Sequence, residues 1–141
     1  MKLFRLITYI FAGASLVTYL FEASAMSARA DPNTLVLTES ENGKTVQVPV
    51  GGQLIVRLPA QLGTGFSWGV VHRKGDILRL TQQRTESTGQ LRPGGPEEQV
   101  FVFEPQAAGS EDIELTYRRP WEQDQPPARI FRFSAIVTGR R

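Results

Sequence analysis

Five residues invite a chemical reading first. Gly65-Phe66-Ser67-Trp68-Gly69 fits the Gly-x-Ser-x-Gly pattern in which a serine serves as nucleophile on a sharp turn. That chemistry needs a strand, a turn and a helix around the serine, with an acid and then a histidine downstream. Here Ser67 lies in an aromatic, alternating segment that reads as strand, and the one histidine of the chain, His72, stands three residues beyond Gly69. A serine hydrolase is rejected on that context, and His72 reads as a solvated turn residue. The chain has no cysteine, which removes a thiol nucleophile, disulfides, thiolate zinc sites and iron–sulfur clusters. A lone histidine gives no basis for a His-built metal site. The acidic pairs Glu97-Glu98 and Glu111-Asp112 adjoin expected turns, where carboxylates are normally solvated. No catalytic residue, metal or cofactor is expected, and the chain is not read as an enzyme.

What remains is recognition chemistry, carried by glycines and aromatics. Gly63 and Gly65 flank Thr64, so the backbone there can turn tightly and come close to another molecule. Trp121 follows Arg119-Pro120 and precedes Glu122, Gln123 and Asp124; a proline-braced tryptophan in a polar loop presents a large, rigid surface to a partner. Trp68 opens a strand and is expected in the core.

The elements that must position these residues are strands. With 13 glycines and 9 prolines in 141 residues, the chain favours many short strands over long helices. Residues 1–30 stand apart: Lys2 and Arg5 precede an apolar run from Leu6 to Phe21, and Ala23-Ser24-Ala25 and Ala28-Arg29-Ala30 fit small-x-small cleavage sites. They read as a signal peptide cleaved after Ala25 or, by preference, Ala30. A secreted or periplasmic protein follows, with no membrane attachment once the leader is gone. Losing Lys2, Arg5, Arg29 and Glu22 takes the bases from 16 to 13 and the acids from 14 to 13. The mature chain is then neutral, which removes the electrostatic case for a nucleic-acid partner.

Residues 31–141 read as one domain in which apolar residues recur with period two. Strands are predicted over Thr34–Glu39, Lys44–Val48, Gln53–Leu58, Phe66–Val71, Ile77–Gln82, Glu98–Phe103, Glu111–Arg118 and Ala128–Thr138. About eight strands in roughly 110 residues is the density of an all-β sandwich. If successive strands run up and down, alternate connections share a pole. The connections Pro59–Gly65, Arg84–Glu97 and Arg119–Pro127 then cluster at one end, and His72–Asp76 and Glu104–Ser110 at the other. The first three are the longer ones, so they form the expected binding end.

In sequence, Leu62-Gly63-Thr64-Gly65-Phe66-Ser67-Trp68, Pro93-Gly94-Gly95, Phe101-Val102-Phe103, Ala108-Gly109 and Tyr117-Arg118-Arg119-Pro120-Trp121-Glu122 resemble the chagasin family of cysteine-protease inhibitors over nearly the whole mature chain. The resemblance implies an immunoglobulin-like β-sandwich whose three loops wedge into the cleft of a papain-like cysteine protease, inhibiting it reversibly and without covalent chemistry. It implies protease-binding roles for Leu62, Gly63, Thr64, Gly65 and Phe66, for Arg92, Pro93, Gly94 and Gly95, and for Arg119, Pro120 and Trp121. Thr64 and its glycines would face the catalytic centre, with the other two loops on the cleft walls. The family's first loop usually reads Asn-Pro-Thr-Thr-Gly where this chain has Gln61-Leu62-Gly63-Thr64-Gly65, and its second usually begins with Gly where Arg92 stands. A monomer is expected. The rival reading is an extracytoplasmic binding or adhesion module that uses the same pole without inhibiting a protease.

Overall fold

In the last strand Phe131, Phe133, Ala135 and Val137 are buried while Arg132 and Ile136 between them are exposed, and this period-two segregation organises the molecule. The computed structural model describes residues 31–89 and 94–139. The leader expected at residues 1–30, and Arg92 and Pro93 of the second loop, lie outside the described residues. The strands are β1 (Thr34–Leu37), β2 (Thr45–Pro49), β3 (Gln53–Ala60), β4 (Ser67–Lys74), β5 (Leu78–Ser87), β6 (Glu97–Pro105), β7 (Gly109–Arg118) and β8 (Arg129–Thr138). They form two four-stranded sheets, ordered β1-β3-β6-β5 and β2-β8-β7-β4. The short outer strands β1 and β2 run parallel to β3 and β8, and the remaining pairs are antiparallel.

The inner faces supply the core. Leu54, Val56, Leu58, Leu78, Phe101 and Phe103 of the first sheet meet Trp68, Ile113, Leu115, Phe131 and Phe133 of the second. Phe103 and Phe133 touch edge to face across the gap, centroids 6.3 Å apart. Burying each such side chain contributes about 1.5–3 kcal/mol.

Two polar side chains also enter this layer. Gln99 of β6 reaches the other sheet, where its Oε1 accepts from the Trp68 amide at 2.6 Å and its Nε2 donates to the Trp68 carbonyl at 3.4 Å. At the opposite pole the buried Glu111 carboxylate of β7 accepts from the amides of Ile77 (3.0 Å) and Leu78 (2.7 Å) and pairs with Arg73 Nε at 3.1 Å. Both link β4 or β5 to the opposite sheet.

The sequence expectations need correction at three places. Glu97, Glu98 and Glu111 are strand residues with fixed partners, not solvated turn carboxylates: Glu98 pairs with Arg57 at 3.2 Å, and Glu97 accepts a loop amide described below. His72 belongs to β4, which runs on to Lys74 and pairs His72 with Glu114, so it is not a turn residue. Finally, β5 continues past Gln82 to Ser87. Its second half, Gln82-Gln83-Arg84-Thr85-Glu86-Ser87, has no apolar stripe because it passes beyond the core. It is held instead by its ladder to β6 and by Arg84 and Arg57, which grip Glu86 at 2.6 and 2.8 Å.

Candidate functional site

Strand register brings three connections to one pole. Ala60 at the end of β3 and Ser87 at the end of β5 both pair with Glu97 at the start of β6, while Ser67 pairs with Arg118 and Tyr117 with Arg129. The connections that leave β3, β5 and β7 therefore start from one pole. The turns after β4 and β6 lie at the other end, joined by the Gln106 amide donating to the Ile77 carbonyl at 2.7 Å.

The first loop is a single 3-10 turn, Leu62–Thr64, closed by the Thr64 amide on the Gln61 carbonyl (3.0 Å) and the Gly65 amide on the Leu62 carbonyl (2.9 Å). The Thr64 hydroxyl also donates to the Gln61 carbonyl, at 2.6 Å. Gly65 ends the turn at φ +82°, a left-handed conformation that costs a side-chain-bearing residue roughly 1–2 kcal/mol.

Beneath this turn lies a continuous stack. Arg119 caps the Phe66 ring at 4.5 Å, Phe66 stacks on Tyr117 at 5.4 Å, Tyr117 meets Trp68 at 5.1 Å, and Arg129 covers Trp68 and Tyr117 at 5.3 and 5.7 Å. Two guanidinium groups thus bracket three aromatic rings, each face contact adding cation–π attraction to the buried area. Polar tips anchor the stack: the Trp68 indole N–H donates to the Pro59 carbonyl at 2.9 Å, and the Tyr117 hydroxyl accepts from the Gln61 amide at 2.9 Å. Arg129 also pairs with Glu39.

The second loop is pinned at its base by the Thr88 amide and hydroxyl, both donating to the Pro96 carbonyl, at 3.0 and 3.1 Å. Glu97, just beyond, accepts the Leu62 amide at 3.1 Å and so ties the first loop to the second. A shallow cleft of about 330 Å³ lies between the two loops, lined by Gln61, Gly63, Thr64, Gly94, Gly95 and Glu97.

The third loop is locked to the first. Arg119 donates from Nε to the Thr64 carbonyl at 3.2 Å and pairs with Glu122 at 3.1 Å. Trp121 leans its indole edge over Gly65, where an added Cβ would lie 2.6 Å from Cη2, yet the residue keeps 70% of its surface in solvent. Unsupported loops would pay ordering entropy on binding; the first and third are fixed to each other beforehand.

Of the residues expected to bind, Gly63, Thr64, Gly94, Pro120 and Trp121 are exposed and Gly95 is half-buried at the cleft. Leu62 and Phe66 pack against the core, and Arg119 has its guanidinium engaged by Phe66, Thr64 and Glu122. These three brace the surface from within. Sequence reasoning missed the supports Gln61, Glu97, Gln99 and Arg129. No local pattern marks them, because each supports the stack or loop through a distant residue: Gln61 through Tyr117, Glu97 through Leu62, Gln99 through Trp68, and Arg129 through Trp68 and Tyr117. Ser67 stands in an extended strand opposite Arg118, without the strand–turn–helix geometry of a nucleophile elbow.

A rigid sandwich that holds glycine-rich and tryptophan-bearing loops together at one pole is built to recognise another protein. This chain belongs to the chagasin family of peptidase inhibitors, I42, which it matches over residues 47–135. It is 31% identical to chagasin of Trypanosoma cruzi over 91 residues, which are 60% of this chain and 81% of chagasin. Among solved structures, the cysteine protease inhibitor EhICP2 of Entamoeba histolytica superposes with a TM-score of 0.68 at 24% identity, covering 74% of this chain and 96% of EhICP2. Amebosin gives 0.58 at 28% identity, with 77% and 100% covered. PbICP-C, solved in complex with falcipain-2, gives 0.53 at 19% identity, with 77% and 99% covered.

Proposed function

We propose that this protein is a reversible inhibitor of papain-like cysteine proteases, blocking the active-site cleft with the three loops of one pole. The observation that carries the reading is that the exposed Trp121 is seated over Gly65 while Arg119, from within, ties its loop to the Thr64 carbonyl, so that one surface is preformed. Thr64 at the tip of the first loop faces the catalytic centre, and Gly94-Gly95 and Pro120-Trp121 flank the cleft walls. Among the described residues nothing at the tip is a nucleophile activated by a neighbouring base, and inhibition is by occlusion and shape. The family membership and the likeness to chagasin support the same conclusion.

The test is titration of residues 31–141 against papain. Competitive, dilution-reversible inhibition is expected; an adhesion module would leave papain fully active. We further propose that the chain works as a monomer outside the cytoplasm, released from a leader at residues 1–30. Intact mass of the exported protein tests this, with a start at Asp31 expected.

A further inference from the structure

Seven of the eight arginines among the described residues are paired with a carboxylate, and Arg118 is the exception. Its side chain lies half-buried on the outer face of β7 with a buried Nε that has no acceptor, its one hydrogen bond being a long one, 3.4 Å, from Nη1 to the Gln123 carbonyl. Two residues earlier Thr116 is 3% exposed, and its hydroxyl also lacks a partner. The register places Ser67 opposite Arg118 and Gly69 opposite Thr116. At Gly69 an added Cβ would meet nothing within 4 Å, so the missing side chain leaves a hollow beside Thr116. The result is an open cleft of about 440 Å³ lined by Ser67, Gly69, Val71, Thr116, Arg118, Pro120 and Gln123, with no acidic side chain in its wall. Both unpartnered atoms lie under the surface, so what the cleft offers is the solvent-facing part of a guanidinium with no acidic partner, and the group that suits it is a carboxylate, which takes charge-assisted hydrogen bonds from arginine.

We infer that this cleft is a subsite for an aspartate or glutamate side chain on the surface of the target protease. Pro120 lines the cleft and also belongs to the third loop, so the subsite continues the three-loop surface along the outer face of β4 and β7. The inference rests on the inhibitor reading for its occupant, while the carboxylate chemistry is testable without a protease. Arg118 would then select among proteases by the presence of an acid beside the cleft wall.

The first arm is a titration of the mature chain with N-acetyl-L-glutamate, followed by amide and arginine Nε nuclear magnetic resonance. Saturable shifts at Gly69, Thr116 and Arg118 in the millimolar range are expected, absent with N-acetyl-L-glutamine and absent in Arg118→Gln. No saturation, or equal shifts with the glutamine analogue, overturns the subsite. The second arm measures inhibition constants of wild type and Arg118→Gln across a panel of papain-like proteases at two salt concentrations. A roughly tenfold, salt-sensitive loss is expected for proteases carrying the acid. Unchanged constants across a panel that wild type inhibits would assign the cleft to a free carboxylate and overturn the protease occupant. Failure of wild type to inhibit any member refutes the inhibitor reading and this occupant with it, while leaving the result of the first arm standing.

Discussion

Replacing Gly65 by alanine separates the stability of the fold from the competence of its binding surface. Two costs arise at once. Alanine must adopt φ near +82°, which costs roughly 1–2 kcal/mol, and its Cβ falls 2.6 Å from Trp121 Cη2, closer than real contacts allow. The backbone at Gly65 is fixed by its 3-10 turn, whereas the indole is the exposed end of a side chain with two rotatable bonds, so Trp121 is what moves. Because 70% of Trp121 is already in water, displacing it adds little to the folding cost. The thermal midpoint should therefore drop by about 5–10 °C, from the backbone alone. Inhibition should suffer more. A rigid tryptophan anchor is worth on the order of 2 kcal/mol, so Gly65→Ala should weaken papain inhibition about thirtyfold, close to the effect of Trp121→Ala. The double variant decides the mechanism: if the glycine acts by seating the indole, Gly65→Ala adds almost nothing once Trp121 is alanine. Inhibition constants and midpoints for the four proteins complete the cycle. Additive losses in the inhibition constant would refute the reasoning.

Other perturbations have equally direct readouts. Trp68→Ala should cost about 3–5 kcal/mol of stability by opening a core cavity, seen in a urea titration, with inhibition falling only as the protein unfolds. Glu111→Ala strands the Ile77 and Leu78 amides and Arg73, and should cost about 3–5 kcal/mol; a midpoint within a few degrees of wild type would contradict that role. Glu41 is held at about 2, below its ordinary 4.5, chiefly by the Thr38 amide and then by the Ser40 and Thr38 hydroxyls. A carboxyl lowered on folding stabilises above its unfolded pKa and loses that contribution as pH falls through the folded one. Glu41→Gln should thus be less stable than wild type at pH 6, with the gap closing between pH 4.5 and 2. Glu86, lowered by its hydrogen bond from Arg84 and by the charge of Arg57, adds to the same acid-limb loss in wild type.

The strands were legible wherever one face is core. In β7 and β8 the alternation of Ile113, Leu115 and Tyr117, and of Phe131 to Val137, fixes both the element and the buried side. It failed where burial does not follow parity. Val100 and Val102 lie on the outer face of β6 yet are buried, flanked in register by Arg57 and Arg84 and by Ile55 and Gln82, so the run Val100 to Phe103 reads as apolar on both faces. Glu111 was hidden for the opposite reason, since an acid beside a glycine and a serine looks like turn sequence until its three donors, Arg73 and the amides of Ile77 and Leu78, are known. At the site, the exposed Thr64 and Trp121 could be found by composition and by family likeness. Arg119 looked like a contact residue because an arginine beside a proline and a tryptophan gives no sign that its charge is spent on Phe66 and Thr64.

The parallel pairing of β2 with β8 has a mechanical consequence. Their five residue pairs join Thr45 with Ser134 through to Pro49 with Thr138. Tension applied through the two ends of the chain draws first on β1, held to β3, and once β1 has yielded it pulls β2 by its first residue and β8 by its last. In a parallel pair these are opposite ends, so the strands are sheared and their cross-strand hydrogen bonds share the load at once. An antiparallel pair gripped at one end would peel open bond by bond. The three loops are hung from strands β3 to β8, so a pull that has already drawn β1 from β3 must still shear the β2–β8 pair before it can part the strands that carry the stack under Gly65.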